Sequence, residues 1–406
     1  MASQARTEAA LLARAQQLGV DVRFNWSCEA VSEHENGVTL TLRDLSAGAA
    51  HEMDTRYLIA CDGIRGTIRE QAGITSQGIG HLKAVTAVRF NADLSAWAGD
   101  NAMVIHYVQN AGLPDGSGIL VSTDYAGQWV ANFSADAARS VTETRRLIHM
   151  LLGLSEREVA VEMTGETTYN YSHRIADRLS TKRIFLAGDA AHVMPPTGGQ
   201  GGNTAIQDGF YLGWKLACVL RGIAGAGLLA SYNVERRPYA QIVCTWQAAN
   251  LAERRDMKSL AEIIGNPIDH ATMMFGYVCL DGAFVKNLGQ ATPPIDAPFE
   301  NPAHPTGLPG ARVPYVVLNS AAQAFNTRHQ LHAQFQLYTA DAGMATQFAR
   351  TAAALKIAQQ VTLVDTMSPL GMDDGQAMLI RPDGIVAWHG NRAAELAEAY
   401  QHILAL

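Results

Sequence analysis

The stretch from Arg183 to Arg221, RIFLAGDAAHVMPPTGGQGGNTAIQDGFYLGWKLACVLR, constrains the fold more than any other part of the chain. Its first five residues, Arg183–Ala187, form a short apolar run that reads as a buried strand. Gly188-Asp189 ends the run and sets a carboxylate at the strand's carboxyl end. The loop that follows, Pro195 to Asn203, cannot be helical at its prolines, and its glycines let a bound group approach the backbone closely. Beyond it Ile206, Phe210, Trp214 and Ala217 recur at helical spacing and predict the apolar face of a long helix, with Gln207, Tyr211 and Lys215 off that stripe. A strand therefore delivers an Asp, and a Gly-rich loop delivers a helix amino end. Free N–H groups and a partial positive charge suit that end to phosphate or to an electron-rich ring oxygen. The loop is not a P-loop, since no Gly-Lys-Ser/Thr follows, nor a dinucleotide fingerprint, since Gly199-x-Gly201-x-x ends in Thr204.

Size and charge narrow the class. A chain of 406 residues is long enough for two or three domains. Its net charge of -7 argues against nucleic acid or an anionic membrane as partner. Cys28, Cys61, Cys218, Cys244 and Cys279 are widely spaced with no Cys-x-x-Cys. That pattern predicts reduced thiols in the cytoplasm rather than a disulfide frame or a zinc site. No apolar run has transmembrane length and the amino end lacks a signal-peptide layout.

Taken in order, Gln4 to Leu18 reads as a helix stopped by Gly19, and Val20–Phe24 alternates like a strand. Val38–Leu42 is a second strand, entered through the Asn36-Gly37 turn. Tyr57–Cys61 is fully apolar and predicts a central strand that ends at Asp62-Gly63. From Val85 to Phe133 the character changes to short alternating segments: Val85–Phe90, Met103–Val108, Ile119–Ser122 and Trp129–Phe133. They predict a mostly antiparallel sheet in a separate layer. A short helix is expected over Arg145–Leu152 and a strand over Val159–Thr168. Tyr232-x-x-Glu235-Arg236-Arg237-Pro238 reads as an ion-paired, solvated helix start, and Ile242 to Leu260 continues helically. Gly307 to Arg312 reads as a linker. Phe335–Tyr338, a helix at Ala352–Gln360, Val361–Val364, Ala377–Ile380 and Ile385–Trp388 then alternate as a carboxyl-terminal α/β unit.

The Gly188–Asn203 string resembles the second flavin-contacting motif of the FAD-dependent aromatic hydroxylases, the single-component flavoprotein monooxygenases that include phenol, p-hydroxybenzoate and polyketide hydroxylases. Asp62-Gly63 followed by Arg69 resembles that family's Asp-Gly motif, with Gly66 where the family carries Ser. The Tyr232–Pro238 string is a further hallmark. The resemblance implies an α/β fold: a doubly wound FAD-binding domain at 1–80 and 176–300, an antiparallel β substrate domain at 81–175, and a thioredoxin-like domain at 308–406. The tail has no Cys-x-x-Cys, so packing or a homodimer contact is its expected use.

By the same resemblance the cofactor-binding residues are Gln4, Asp62, Asp189, Pro196, Gly199, Gly201, Gly202 and Asn203. Asp189 would take the ribityl chain, the amides of Gly202 and Asn203 the flavin pyrimidine oxygen, and Pro196 the space before the reactive flavin carbon. Gln4 stands where the family has a flavin-contacting Gln. The implied reaction is hydroxylation of a small phenolic or polycyclic aromatic substrate with NADPH or NADH and oxygen, through a flavin hydroperoxide. No Ser/His/Asp triad or metal cluster is apparent, and His192 reads as structural. His106, Tyr107 and Tyr125 lie in the roof segment as packing residues, and no base for the substrate is assigned.

One part of the family pattern has no counterpart. No G-x-G-x-x-G occurs anywhere in the chain, so the usual pyrophosphate cradle and ribose clamp are lacking. By the family pattern roughly one small domain's length precedes the position of Ser3. The strand at Tyr57–Cys61 would then have an unpaired edge. The alternative reading is a truncated or non-catalytic homologue, one that needs a complementing chain or binds a ligand without oxygen chemistry.

Overall fold

The computed structural model describes residues 3–98, 105–123, 125–135, 140–254, 268–286, 293–331 and 334–406. The chain divides into two compact units, one of Met1–Cys28, Leu42–His51 and Ile79–His173, the other of Glu29–Thr41, Glu52–Gly78 and Arg174–Leu406.

Helix α1 (Gln4–Gln17) is capped by Ser3, whose side chain accepts from the Arg6 amide. Gly19 ends it at a φ of 81°, a left-handed conformation that glycine adopts without steric cost. No residue of α1 is buried. The expected strand at Val20–Phe24 does not form; the chain is irregular there and the strand begins at Trp26. Alternation alone does not make a strand, and Val20, Val22 and Phe24 are exposed with no sheet beside them. Strands β1 (Trp26–His34), β2 (Gly37–Asp44) and β3 (Ala50–Thr55) form a three-stranded sheet in that order. After them come β4 (Leu58–Ala60) and a one-turn helix, α2 (Ile68–Gln71).

The antiparallel layer is built from β5 (Ser76–Asn91), β6 (Ile105–Gln109), β7 (Ser117–Ser122), β8 (Gln128–Ser134) and β9 (Glu162–Ala176), with α3 (Ser95–Ala98) and α4 (Val141–Leu152) between them. Its strand order is β9-β5-β8-β7-β6. The start of the segment expected at Met103 lies outside the described residues. Alternation now has partners, so it sorts the side chains cleanly. Val88, Phe90, Leu120, Trp129, Ala131 and Phe133 form one core cluster with Leu147, Ile148 and Leu151 of α4. The opposite face stays half open. There Tyr107 pairs with Ile119, Ile119 with Asn132, and Asn132 with Ala87, in one cross-strand row. The Tyr169 hydroxyl donates to Asn132 Oδ1 at 3.0 Å.

In the second unit β10 (Ile184–Leu186) is buried along its whole length and pairs in parallel with β4, Ile184 opposite Leu58 and Leu186 opposite Ala60. The expectation of a central strand at Tyr57–Cys61 is corrected: among the described residues β4 has a neighbour on one side only, and Ile59 is 42% exposed. After the two-residue β11 (His192–Val193) come the long helices α5 (Gln200–Leu220) and α6 (Ala230–Arg254), then the short α7 (His270–Phe275). The last residues of the helix expected to reach Leu260 lie outside the described residues.

The carboxyl-terminal part carries a small hairpin, β12 (Val317–Asn319) and β13 (Ala324–Asn326). It is followed by β14 (Phe335–Thr339), α8 (Ala342–Ala354), β15 (Gln359–Leu363), β16 (Ala377–Ile380), β17 (Val386–Gly390) and α9 (Ala393–Ile403). The sheet order is β15-β14-β16-β17, parallel only between β14 and β15. With its two helices this is the thioredoxin-like arrangement. The helix expected at Ala352–Gln360 lies earlier, because the Asp341 carboxylate caps it at Met344 and Gln359 onward pairs with β14. The Gly307–Arg312 segment is not a free linker either. The Gly310 amide donates to the Val386 carbonyl and the Val386 amide to Ala311, both at 2.9 Å. One core cluster runs from Trp214, Tyr239 and Val243 of α5 and α6 to Phe335, Phe348 and Trp388 of the tail.

Candidate active site

Strand β10 ends at Ala187, and the Gly188–Ala190 turn throws Asp189 outward. Gly188 has a φ of 59°, and a Cβ there would press on the Ala205 side chain at 3.2 Å, so turn and helix touch directly. The open Asp189 carboxyl is pushed above the usual carboxylate range by the protein packed around it, with His192 drawing it back. Gly63 and Ile64 line the same small cleft, of about 10 Å³, as Asp189 and Ala190, so the two Asp-Gly-type turns meet.

Asp62 itself is exposed and has a backbone partner. Its carboxylate accepts from the Ile68 amide at 3.1 Å and starts α2. A Cβ at Gly66 would fall 2.0 Å from the Asp62 carboxyl carbon. Gly66 thus leaves room for the Asp62 carboxyl in this position.

At the other end of the loop Pro195 is buried and Pro196 exposed. Thr197 Oγ1 donates to the Gln247 carbonyl at 2.7 Å. Gln200 Nε2 donates to the Gly198 carbonyl at 3.2 Å. Gly199, at a φ of 66°, is the residue before α5, and no side chain caps the helix there. Asn203 turns its amide back to the Gly199 carbonyl at 2.9 Å. A Cβ at Gly202 would meet nothing within 4 Å. An uncapped helix start, flanked by open space that only glycines leave, fits the electron-rich edge of a flavin ring. The exposed Asp189 fits a hydroxyl-bearing chain. Gln4 lies in the other unit, at the first turn of α1, with its amide on Glu8 at 2.6 Å.

The predicted apolar stripe of α5 holds at Trp214, which is buried, and fails in the first half of the helix. Ile206 and Phe210 are 59% and 53% exposed, whereas Asp208, Tyr211 and Lys215 are buried. The polar side can turn inward because every charge on it is paired. Asp208 Oδ2 accepts from the Gly188 amide at 3.0 Å and lies 2.6 Å from His192 Nε2; Oδ1 accepts from Arg236 Nε at 3.0 Å. Burial alone would raise Asp208, but Arg236 and His192 outweigh it and hold the carboxylate below its usual range.

The Tyr232–Pro238 string is correspondingly not a solvated helix start. Tyr232, Glu235 and Arg236 are all within 2% of full burial. The Tyr232 hydroxyl donates to the Leu186 carbonyl at 2.8 Å, bracing the strand that delivers Asp189. Arg236 lies between the rings of Tyr211 and Tyr239. Glu235 points the other way, to Lys215 Nζ at 2.8 Å and to Arg381. Sequence reasoning missed Asp208 and its partners; the signal present was a lone Asp on the strongly apolar second half of the string. His192, read as structural, is buried with Nε2 on Asp208.

A larger groove of about 620 Å³ lies away from this chemistry, beside α7. Its carboxylates are engaged locally, Asp269 with the Thr272 amide and Glu300 with Thr306. Among the described residues no cluster could hold a metal ion and no helix is long and apolar enough to cross a membrane.

Strand, turn and uncapped helix define a flavin-binding α/β protein, and the comparisons agree. A family model described as FAD binding domain matches residues 1–247, and one described as aromatic-ring hydroxylase, C-terminal, matches 306–405. Aklavinone 12-hydroxylase of Streptomyces purpurascens is 31% identical over 100% of the chain and 77% of its own length. Tetracenomycin A2 monooxygenase-dioxygenase of Streptomyces glaucescens is 34% identical over 99% and 75%. A crystal structure of aklavinone-11 hydroxylase with FAD and aklavinone superposes with a TM-score of 0.90 at 29% identity, covering 100% of this chain and 78% of that one. The chain belongs to the FAD-dependent aromatic-ring hydroxylases, a family of flavoprotein monooxygenases.

Proposed function

We propose that this chain hydroxylates a polycyclic aromatic ring of the polyketide type, with NADPH or NADH as reductant. The observation that carries the reading is the meeting of the Gly188-Asp189 turn with the uncapped, glycine-lined start of α5. Reduced FAD, when bound, supplies the oxygen-activating chemistry. Asp189 holds the ribityl hydroxyls. The Gly202 and Asn203 amides stabilise negative charge at the pyrimidine edge. Pro196 and Gly199 shape the loop and keep water from the reacting atoms. Residues 1–80 and 176–300 serve as the FAD domain, 81–175 as the substrate domain and 308–406 as a packing domain. On the substrate domain, the open sheet face with Tyr107, Ile119 and Asn132 offers apolar area and an amide to a flat ring. The polycyclic names of the relatives support this over a simple phenol. The wide spacing of the cysteines, with no Cys-x-x-Cys, supports a reducing compartment such as the cytoplasm. The test is NADPH oxidation by the FAD-loaded chain: acceleration by a polycyclic phenol, with one oxygen atom added to it, supports the reading; oxidation with no oxygenated product defeats it.

A second reading is favoured by one further observation. The outer edge of β4 is free among the described residues, and Gly202, Ile206, Gly209, Phe210 and Gly213 leave one face of α5 open. A βαβ unit with a phosphate cradle, in the same chain or a complementing one, would pair that edge and cover that face. FAD affinity that rises sharply on co-expression with such a unit from a relative supports this reading; unchanged affinity removes it.

A further inference from the structure

We propose that Asp208 and Arg236 are positioning residues for the flavin: one buried ion pair sets the spacing between the Gly188-Asp189 turn and the start of α5. The proposal rests on the flavin reading above. The two cofactor-facing pieces come from different elements, and a single carboxylate reaches both. Asp208 belongs to α5, yet its Oδ2 accepts from the Gly188 amide at 3.0 Å and meets His192 Nε2 at 2.6 Å. Its Oδ1 takes Arg236 Nε at 3.0 Å. Arg236 then grips the first turns of the same helix, donating through Nη2 to the Thr204 carbonyl at 3.3 Å and through Nη1 to Gln207 Oε1 at 3.1 Å. The Gly188 turn needs this restraint, since its left-handed φ and its contact with Ala205 leave no side chain of its own to hold it.

A buried ion pair is weak evidence of stabilisation, because a matched apolar pair often does as well. What it supplies here is geometry: every partner of Asp208 lies on the turn, on His192 or on Arg236. The adjacent Glu235 is buried to the same degree, but its partners are Lys215 on the later part of α5, the Ala283 amide and Arg381 of the tail, none of them on the Gly188-Asp189 turn or the first turns of α5. Two neighbouring residues of one motif thus hold different places, Arg236 the first turns of α5 and Glu235 its later part and the tail, and each is a control for the other.

The experiment uses the full chain carrying Asp208→Asn, Arg236→Lys or Glu235→Gln. It reads FAD affinity by fluorescence quenching, the visible circular dichroism of bound FAD, the melting temperature without FAD, and hydrogen exchange at the Gly188 amide. D208N and R236K are expected to weaken FAD about tenfold or more, to alter the flavin dichroism and to speed Gly188 exchange. E235Q is expected to lower the melting temperature while FAD affinity stays within about twofold. Wild-type affinity and dichroism in D208N and R236K would overturn the positioning role alone. Equal loss of FAD affinity in E235Q would overturn it too, by showing general loosening. Should D208N not fold, R236K still decides. No FAD binding by the unaltered chain would overturn the flavin reading and this role with it.

Discussion

Arg381 and Glu235 lie 146 positions apart in the chain and make a bidentate pair with no solvent exposure, Nη1 to Oε1 at 2.7 Å and Nη2 to Oε2 at 2.8 Å. Asp383 takes the other edge of the guanidinium, Nε to Oδ1 at 3.0 Å, and the Trp214 indole donates to Asp383 at 2.7 Å. The Arg381-Pro382-Asp383-Gly384 turn of the tail is thereby fastened to α5 and α6. The thioredoxin-like part is not an appended module; its charges complete those of α5 and α6.

Arg381→Met should cost about 3–5 kcal/mol, since it strands two buried carboxylates. Combining it with Lys215→Met, Glu235→Leu and Asp383→Asn should recover part of the loss, because the buried Lys215 that pairs with Glu235 is then neutralised together with both carboxylates. Urea denaturation of the variants measures both. The pair also has an acid limit. Burial opposes ionisation of Glu235, but Arg381 and Lys215 overcome it and hold the group at about 2. Its contribution is full above the ordinary 4.5 and is lost as pH falls through about 2.

Gly66→Ser would restore the family's usual residue and should nevertheless harm this chain. The new Cβ would collide with the Asp62 carboxyl and detach it from the Ile68 amide. Loss of a cap of this kind costs about 0.5–2 kcal/mol. Faster hydrogen exchange across Ile68–Gln71, with no gain in FAD affinity, is the expected result.

These relationships divide what the chain's local pattern discloses from what it hides. The Gly188-Asp189 strand end was legible because a buried strand, a Gly turn and a Pro/Gly loop each carry local signatures. The antiparallel layer was legible from alternation, because its strands have partners. Val20–Phe24 alternates equally well and forms no strand, since pairing is a tertiary fact. The first half of the α5 face came out reversed for a similar reason, whereas Trp214 is buried as expected. Ile206 and Phe210 look like core and lie open, whereas Asp208 and Lys215 look like surface and are buried beside Arg236 and Glu235. Only knowledge of the long-range ion partners separates those cases. The Glu235-Arg236 pair, read as solvated, is among the most buried features of the unit.

His389 gives a pH-dependent prediction in the tail. Burial lowers its imidazole from 6.5 to about 4, against a hydrogen bond with the Gly307 backbone that pulls upward. The unfolded chain then binds a proton between those values that the folded chain refuses. Stability should therefore fall as pH drops from 6.5 to about 4, by at most about 1.4 kcal/mol per pH unit from this group. His389→Gln should flatten that part of the profile, read by melting temperature at successive pH values.

The most direct test of the account is FAD titration of the chain beside its Gly202→Val variant. A Cβ at Gly202 meets no neighbouring side chain or loop within 4 Å, so the fold should tolerate a small apolar side chain there and the apo melting temperature should not drop. The same side chain would stand in front of the α5 amides proposed to hold the flavin edge. Saturable quenching of flavin fluorescence by the unaltered chain, lost in Gly202→Val at unchanged melting temperature, is the predicted outcome. Equal quenching by both chains, or none by a folded unaltered chain, would contradict the claim that this helix start holds the flavin.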